Sequence, residues 1–348
     1  MVTFGSAPRP ARADSSVAPN RVGHIAVVSR VPVAQGFRGS LYACRKRRPF
    51  HLESRPTIMH GLTLTLVPDK LFALVNPYEL DGRASSHPLS VRGYSTLNCY
   101  LLRGRARAVL YGTGYSVHED AILAQLSELV GGRTLALAIP RIEFPAMCNA
   151  RAIVEHFDVD VAYQRLPESP ANFLNLRPKY DVDDPGKLRD VPLGQIKTTE
   201  PVTIDPGDAR QLRFLVPHLR LLPSNWGFDE GSGTLFTGDM FSWVWRDTPS
   251  GPWLVDDEAD DPTDRGRVED FLLNNRYWWL AGAETESFRA AIADIFDRYP
   301  VNAIAPDHGA VLTGTAIPRH RALLDEVLEM AADLPATGVT VGQRSLSS

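Results

Sequence analysis

Several polar residues stand where an apolar run stops. Arg141 and Glu143 follow the run 134–139, Asp239 follows 235–237, and His308 follows 301–305. Turn-forming residues flank each stop: Pro140, Gly238, Pro306 and Gly309. Apolar runs of this length bounded by turn residues predict buried strands, and the loops at strand ends are where α/β proteins carry their functional groups. A carboxylate at 143, ahead of a predicted helix, would face that helix's N-terminus, which favours a negative charge or a ligand to a bound metal. Asp239 and His308 offer an oxygen and an imidazole at two further strand ends. Cys148 lies beside the same helix start, where a thiol is drawn toward the thiolate, and is a candidate nucleophile. A fourth strand-end segment, Tyr111-Gly112-Thr113-Gly114, offers backbone rather than side-chain chemistry. Each also has a structural reading: a Gly-Asp turn, a hydrogen-bonded histidine, a buried thiol, glycines that relieve strain.

These loops need a framework to hold them. Residues 60–75 alternate and are rich in Leu, Thr and Val, and 98–102 and 106–111 are short apolar runs, so the body opens with strands. Ser116 with Glu119 reads as a capping box, followed by Ile122, Leu123, Leu126, Leu129 and Val130 at helical spacing and Gly131-Gly132 as the stop. Residues 134–139 predict a strand, 150–157 a helix and 159–163 another strand, a β-α-β-α-β series. Residues 165–200 read as a surface excursion. Strands are predicted at 212–216 and 233–237, separated by a turn-rich stretch at 224–231. A second excursion at 246–267 carries Asp256, Asp257, Glu258, Asp260, Asp261 and Asp264 without the ligand spacing of a calcium loop, which reads as a solvated segment. A helix at 287–299, a strand at 301–305 and a helix at 319–334 close the chain. Trp226, Trp243, Trp245, Tyr277, Trp278 and Trp279 gather around the excursions as pocket walls or as packing.

Charge divides the chain unevenly. Residues 1–58 hold ten Lys and Arg against two acids, a charge of +8, which leaves −12 on the remainder of a chain whose formal charge is −4. The basic segment, with its run Arg45-Lys46-Arg47-Arg48, reads as a disordered extension, and a targeting or nucleic-acid-binding role is the alternative. Met59 is a second possible start. The acidic body has no electrostatic footprint for nucleic acid, no apolar run is long enough to span a membrane, and a cytoplasmic location is the default. Cys44, Cys99 and Cys148 are odd in number and unpaired in spacing, so free thiols are expected. The expected organisation is an extension at 1–58, one domain at 59–337 and a disordered tail at 338–348.

The strand-end segments, taken in order, resemble those of the metallo-β-lactamase superfamily over roughly residues 60–315. Residues 235–241 and 305–309 are similar to the strand-Gly-Asp and Pro-x-His-Gly segments of the branch that includes flavodiiron-type oxygen-binding proteins, and 94–101 resembles its early Asn-x-Tyr-Leu strand. The resemblance implies an αββα sandwich of four layers. It also implies two zinc or iron ions held by a His-x-(His/Glu)-x-Asp-His cluster, an intermediate histidine, a bridging aspartate and a terminal histidine. Here Arg141 stands at the first histidine, Glu143 is kept, Pro145 replaces the aspartate and Ala146 the second histidine. Asp239 matches the bridging aspartate and His308 the terminal histidine. The intermediate histidine should fall at 219–221, where nothing can ligate, and neighbouring His218 would point to the other face of a strand.

Two readings follow. Glu143, Asp239 and His308 form a two-carboxylate, one-histidine set that could hold one zinc, iron or manganese ion. A metal-activated water would then attack a carbonyl or ester of a small molecule, with Asp239 and His308 as catalytic ligands and Arg141 beside them, and iron would add redox chemistry. Alternatively no metal binds, and Arg141, Glu143, Asp239 and His308 form an ion-paired pocket floor that takes a ligand or partner without catalysis, since a guanidinium repels a cation and pairs with carboxylates. A homo-oligomer is compatible with either.

Overall fold

The computed structural model describes residues 61–165, 188, 190–207, 209–219 and 224–336. The basic segment with Cys44, Met59, most of the first excursion and the tail lie outside the described residues.

Two seven-stranded sheets form the centre of the body. The first runs in chain order through β1 (Leu62–Val67), β2 (Leu71–Glu79), β3 (Tyr94–Arg103), β4 (Arg107–Tyr111), β5 (Thr134–Ile139), β6 (Val159–Gln164) and β7 (Leu193–Gln195). Its first four strands pair antiparallel, and β4 to β7 pair parallel. The second comprises β8 (Val202–Thr203), β9 (Gln211–Leu215), β10 (Trp226–Asp229), β11 (Thr234–Gly238), β12 (Leu254–Val255), β13 (Ala303–Pro306) and β14 (Val311–Thr313). Its order is β12-β14-β13-β11-β10-β9-β8, with β11 and β13 parallel.

Strand alternation splits the apolar residues between two cores. Leu71, Ala73 and Val75 of β2 join Tyr100, Val109, Tyr111 and Ala136 against Phe214, Phe228, Leu235 and Phe236 of the second sheet. The Tyr111 ring stacks on Phe236 at 4.7 Å between centroids. Phe72 and Leu74 face the other way, with Leu110, Leu137 and Ile139, onto α1 (Glu119–Leu129) and α3 (Ala150–His156) through Ile122, Leu126 and Ile153. Each large aliphatic chain buried this way contributes roughly 2 kcal/mol. On the far side, α4 (Arg265–Phe271) and α6 (Ala316–Asp333) cover the second sheet with Val268, Phe271, Leu323 and Val327, and α5 (Glu286–Arg298) is clamped to α6 by Arg289 and Asp325, at 2.7 and 2.8 Å. The layers are α, β, β, α. No helix among the described residues is long and apolar enough to cross a membrane.

Some elements differ from the sequence reading. The alternating stretch 60–75 is β1, a turn through Asp69 at φ 59°, and the start of β2. The helix after Tyr111 opens as a 3-10 turn, Ser116–His118, and α1 begins at Glu119, with His118 at its N-cap making no side-chain cap bond. The stretch read as turn-rich at 224–231 holds β10. Gly227 lets that strand lie against Tyr111, whose ring a Cβ would meet at 2.8 Å, and Asp229 forms a buried pair with Arg210, so its turn-like residues serve sheet contacts. The acidic excursion is solvated as read, with Asp256, Asp257, Glu258, Asp260 and Asp264 exposed, and four of its six acids also bond to nearby groups. Asp257 accepts from the Ala259 amide, Asp264 caps α4 through the Arg267 amide, and Asp256 accepts from Thr313. Asp261 accepts from Thr263 and pairs with His320.

The sheets are stitched together at the end that carries the strand-end loops. Leu97 of β3 bridges to His308, and the Asn98 amide N–H donates to the Asp307 carbonyl at 2.8 Å. The Asn98 side chain donates to the carbonyls of Pro306 and Gly309 at 3.0 and 2.9 Å. Thr96 and Tyr100 add hydroxyl donors to the same two carbonyls. Removing the two side-chain bonds with Asn98→Ala should lower stability by about 2 kcal/mol, about 1 for each bond, because the carbonyls keep their second donors. Urea unfolding of the variant measures this, and an unchanged midpoint would contradict the stitching role.

Candidate functional site

Arg141 leaves the end of β5 in the first sheet and extends its guanidinium to the loops of the second. Nη1 lies 3.0 Å from Glu143 Oε2 and 2.7 Å from Asp239 Oδ1, and Nη2 lies 2.8 Å from Asp307 Oδ2. The side chain is 4% exposed. A second guanidinium approaches more loosely: Arg276 Nη2 is 3.3 Å from Asp239 Oδ2 and 3.7 Å from Glu143 Oε1. Two cations thus face three carboxylates drawn from the ends of β5, β11 and β13.

Local folding fixes each partner. The parallel register of β11 and β13 pairs Gly238 with Pro306, and the Asp307 amide donates to the Gly238 carbonyl at 2.8 Å, so Asp239 and residues 307–308 emerge side by side. Gly238, at φ 61°, turns the chain at that point, and Thr237 Oγ1 donates to the Met240 carbonyl at 2.7 Å to close the loop. Phe241 follows at φ 66°, a conformation that costs a side-chain-bearing residue on the order of 1 kcal/mol, and it is fully buried. On the first sheet, the 112–115 and 145–149 segments bond to each other: Gly114 N–H to the Pro145 carbonyl, Thr113 N–H to the Ala146 carbonyl, and Asn149 Nδ2 to the carbonyls of Thr113 and Tyr115. Gly114 is required for space, since a Cβ there would meet Ile122 at 2.4 Å. The loop of Gly112 and Gly114 thus braces the segment that follows Arg141 and Glu143. Glu143 occupies the N-cap position of α2 (Phe144–Met147), but its carboxylate makes no cap bond and goes to the arginines.

His308 sits behind Asp239, 1% exposed, with Nε2 3.8 Å from Asp239 Oδ1. Its Nδ1 is 3.1 Å from both the Thr96 carbonyl and the Tyr78 hydroxyl. A carbonyl can only accept, so the ring proton lies on Nδ1 and Nε2 is left as an acceptor. Nε2 has no hydrogen-bond partner among the described residues; nor do Asp239 Oδ1 and Arg141 Nε and Nη2, whose ion pairs lack hydrogen-bond alignment. Tyr78 continues the chain to Ser86 at 3.2 Å, and Ser86 to His87 Nδ1 at 3.0 Å. Its ring packs among three imidazoles, with centroids 6.1 Å from His308, 6.4 Å from His87 and 6.5 Å from His118.

Burial and pairing pull the titrations apart. Burial disfavours the Asp239 charge, but Arg141 and Arg276 outweigh it and hold that carboxyl well below the usual carboxylate range. Asp307 goes the other way: burial, with repulsion from Asp239 and Glu143, pushes it up to about 6 despite Arg141. Burial also raises Glu143. It lowers His308 and His118 to about 4 and His87 to about 3, so all three rings are neutral at pH 7. Tyr115, whose ring centroid lies 6.3 Å from that of His308, is raised to about 12 by burial, and Tyr277 is raised further for the same reason.

No protein-family model matches the sequence, and no curated protein does. Solved structures do. The chain superposes on the flavodiiron protein of Giardia intestinalis with a TM-score of 0.55 and 13% identity, covering 79% of this chain and 61% of that one. For the rubredoxin oxygen:oxidoreductase of Desulfovibrio gigas the values are 0.56 and 15%, with 77% and 62% covered. For a fragment of a Nostoc diflavin flavoprotein they are 0.55 and 14%, with 78% and 98% covered. The fold is that of the flavodiiron proteins. It is their metallo-β-lactamase-like fold, the αββα sandwich expected from the ordered strand-end segments, and at these identities the likeness concerns the fold alone. The chain spans about three fifths of the length of the full flavodiiron chains it matches.

On this flavodiiron-type framework, Arg141, Glu143, Asp239 and His308 come together as the sequence suggested. The position between Glu143 and Asp239 where a shared cation would sit holds Arg141 Nη1. Among the described residues, no group of three or more His, Cys, Asp or Glu side chains is placed to hold a metal ion. Pro145 and Ala146 contribute backbone carbonyls to the 112–115 segment. Leu219 is buried and His218 exposed beyond the end of β9, while 220–221 lie outside the described residues. Cys148 is not a thiolate, because burial raises it to about 11 and it stands at the C-terminal cap of α2 rather than at a helix start. Trp226 and Trp243 are core residues, and Trp243 Nε1 donates to His320 Nδ1.

The sequence reading did not single out Asp307, Arg276, Tyr78 and His87. Asp307 was adjacent to His308, and strand alternation would have sent it to the opposite face, but both lie past the end of β13. Arg276 ends an irregular turn, 272–276, in which Asn275 is non-helical at φ −140° and ψ −109°, and no spacing announces it. Tyr78 lies in the part of β2 beyond the alternating stretch.

His118 tests the buried-histidine picture away from the ion pairs, since burial is its largest influence and a bond to the Pro77 carbonyl opposes it. Its unfolded form titrates near 6.5 and its folded form near 4, so acid protonates the unfolded chain first and stability falls as the pH drops through that window. His118→Gln should flatten the dependence of Tm on pH between about 6.5 and about 4. Parallel wild-type and variant curves would contradict it.

Proposed function

We propose that this chain is a metal-free member of its structural class that binds a small molecule at the strand-end pocket, with the Arg141 guanidinium in place of a metal's charge. The observation that carries this reading is the position of Nη1, within 3.0 Å of Glu143 and 2.7 Å of Asp239 with its side chain buried. A divalent ion at that point would stand against a guanidinium that cannot lose its proton. The residues present therefore do not fit a metal centre, and the chemistry is assigned to the side chains themselves. Arg141 holds three carboxylates in register, Arg276 and Glu143 reach the open side, and His308 stays neutral with an acceptor turned to the floor.

The runner-up, a reduced metallohydrolase site, is favoured by the adjacency of Asp239 and His308, and one experiment separates the two. Thermal shift with zinc, manganese and ferrous iron should leave the wild type unmoved. Arg141→Ala, which strips the cation from three buried carboxylates, should lose about 3–5 kcal/mol of stability and regain part of it when a divalent ion is added, by mass action. Arg141→His should show the same metal response with a smaller initial loss. A saturable shift of the wild type with any of these metals would overturn the reading.

A further inference from the structure

His308 is covered. Glu143 and Arg276 keep 16 and 18% of their side chains in contact with solvent, whereas Asp239 keeps 11% and His308 1%. A small molecule that is to meet His308 therefore needs a covering element to move. The β2–β3 connection, residues 81–92, is such an element. Its ends are joined where the Leu80 amide donates to the Gly93 carbonyl at 2.8 Å. From this stem the loop turns Ser86 and His87 inward, each 2% exposed. The His87 ring centroid lies 5.8 Å from those of Trp245 and Phe271, 6.0 Å from His308 and 6.4 Å from Tyr78, and all four contacts are edge to face.

Little else fastens the loop. Most of its hydrogen bonds are internal and would travel with it: Arg83 to Asp81, the His87 amide to the Ala84 carbonyl, the Val91 amide to the Pro88 carbonyl, and Arg92 to the carbonyls of Leu89 and Val91. Beyond the stem, its hydrogen bonds to the rest of the body, among the described residues, are Tyr78 with Ser86 at 3.2 Å and Asn275 Nδ2 to the Ser85 carbonyl at 3.5 Å. His87 Nε2 is buried without a partner, a group that water would satisfy on opening. Leu89 on the outer turn is 74% exposed, so that side of the loop buries nothing. Gly82 and Gly93, at φ 91° and 106°, stand at its two ends. A segment with few contacts to the body and internal bonding opens locally, below the free energy of global unfolding.

We infer that residues 81–92 form a lid over His308, latched by the His87 ring in its aromatic slot, and that a ligand enters when the lid swings from its stem. The inference rests on the small-molecule reading of this site. Opening uncovers the acceptor Nε2 of His308, 3.8 Å from Asp239 Oδ1, without disturbing the ion pairs of Arg141.

Diethyl pyrocarbonate, which modifies unprotonated imidazole nitrogens, reads the opening in the full-length wild type when followed by peptide mass spectrometry. His308 and His87 should react together, at a rate that sub-denaturing urea leaves within about twofold, because a local opening exposes little surface. His320, fully buried on α6, should react only as urea unfolds the chain. Hydrogen exchange follows the loop backbone: His87→Ala should speed exchange across 81–92 by roughly tenfold or more and leave β2 and β3 unchanged. The wild-type comparison stands even if the variant fails to fold. His308 modification that rises with urea in parallel with His320, or loop exchange indifferent to His87→Ala, would overturn the inference. A saturable metal shift of the wild type would remove the metal-free reading without altering either measurement, so the two failures are distinguishable.

Discussion

A guanidinium buried among carboxylates from three strand ends is the interaction on which the rest of this structure depends. Charges taken out of water are tolerated only when close, well-placed partners compensate them, and removing one partner leaves the others stranded. Arg141 comes from the first sheet, and two of its three partners, Asp239 and Asp307, come from the second. The charge that holds the site together therefore also joins the two halves of the sandwich at that end. On the metal-free reading proposed above, a side chain that carries its own charge takes the place of an ion and leaves no open coordination positions for metal chemistry.

The surrounding structure makes that arrangement rigid. β3 donates from Thr96, Asn98 and Tyr100 into the carbonyls of residues 306–309, so the loop bearing Asp307 and His308 cannot drift from the first sheet. The Thr96 carbonyl also fixes the tautomer of His308, and through it the character of the one imidazole nitrogen turned toward Asp239. Backbone strain at Phe241 is held by its full burial beside Trp243. The outer members of the site are less firmly framed: Arg276 follows an irregular turn and Glu143 stands at the edge of a one-turn helix.

Much of this was legible in the sequence, and the reason is that strand ends are marked by chemistry. A buried strand reads as an apolar run and its end as Gly or Pro, so Arg141, Glu143, Asp239 and His308 could be located without coordinates, and their order pointed to the fold. The departures at 141, 145 and 146 from the pattern that the strand-end segments resemble were legible as well. What stayed hidden depends on three dimensions. Arg276 reaches the site from a turn with no periodicity, Asp307 joins because the chain has left β13 before alternation could separate it from His308, and β10 was masked by residues whose turn-like character serves close packing and a buried ion pair. The thiolate expected at Cys148 failed because the chain forms a short helix just before it, which leaves the thiol at a helix C-terminal end, and because burial raises it.

The central claim is that Arg141 supplies the positive charge a metal would otherwise bring. Its most direct test is the elemental content of the full-length wild-type protein, expressed in medium supplemented with zinc, iron and manganese and purified without chelators. Metal far below one ion per chain is expected, whichever metal is in excess. A stoichiometry near one ion per chain that disappears in Asp239→Asn would contradict it.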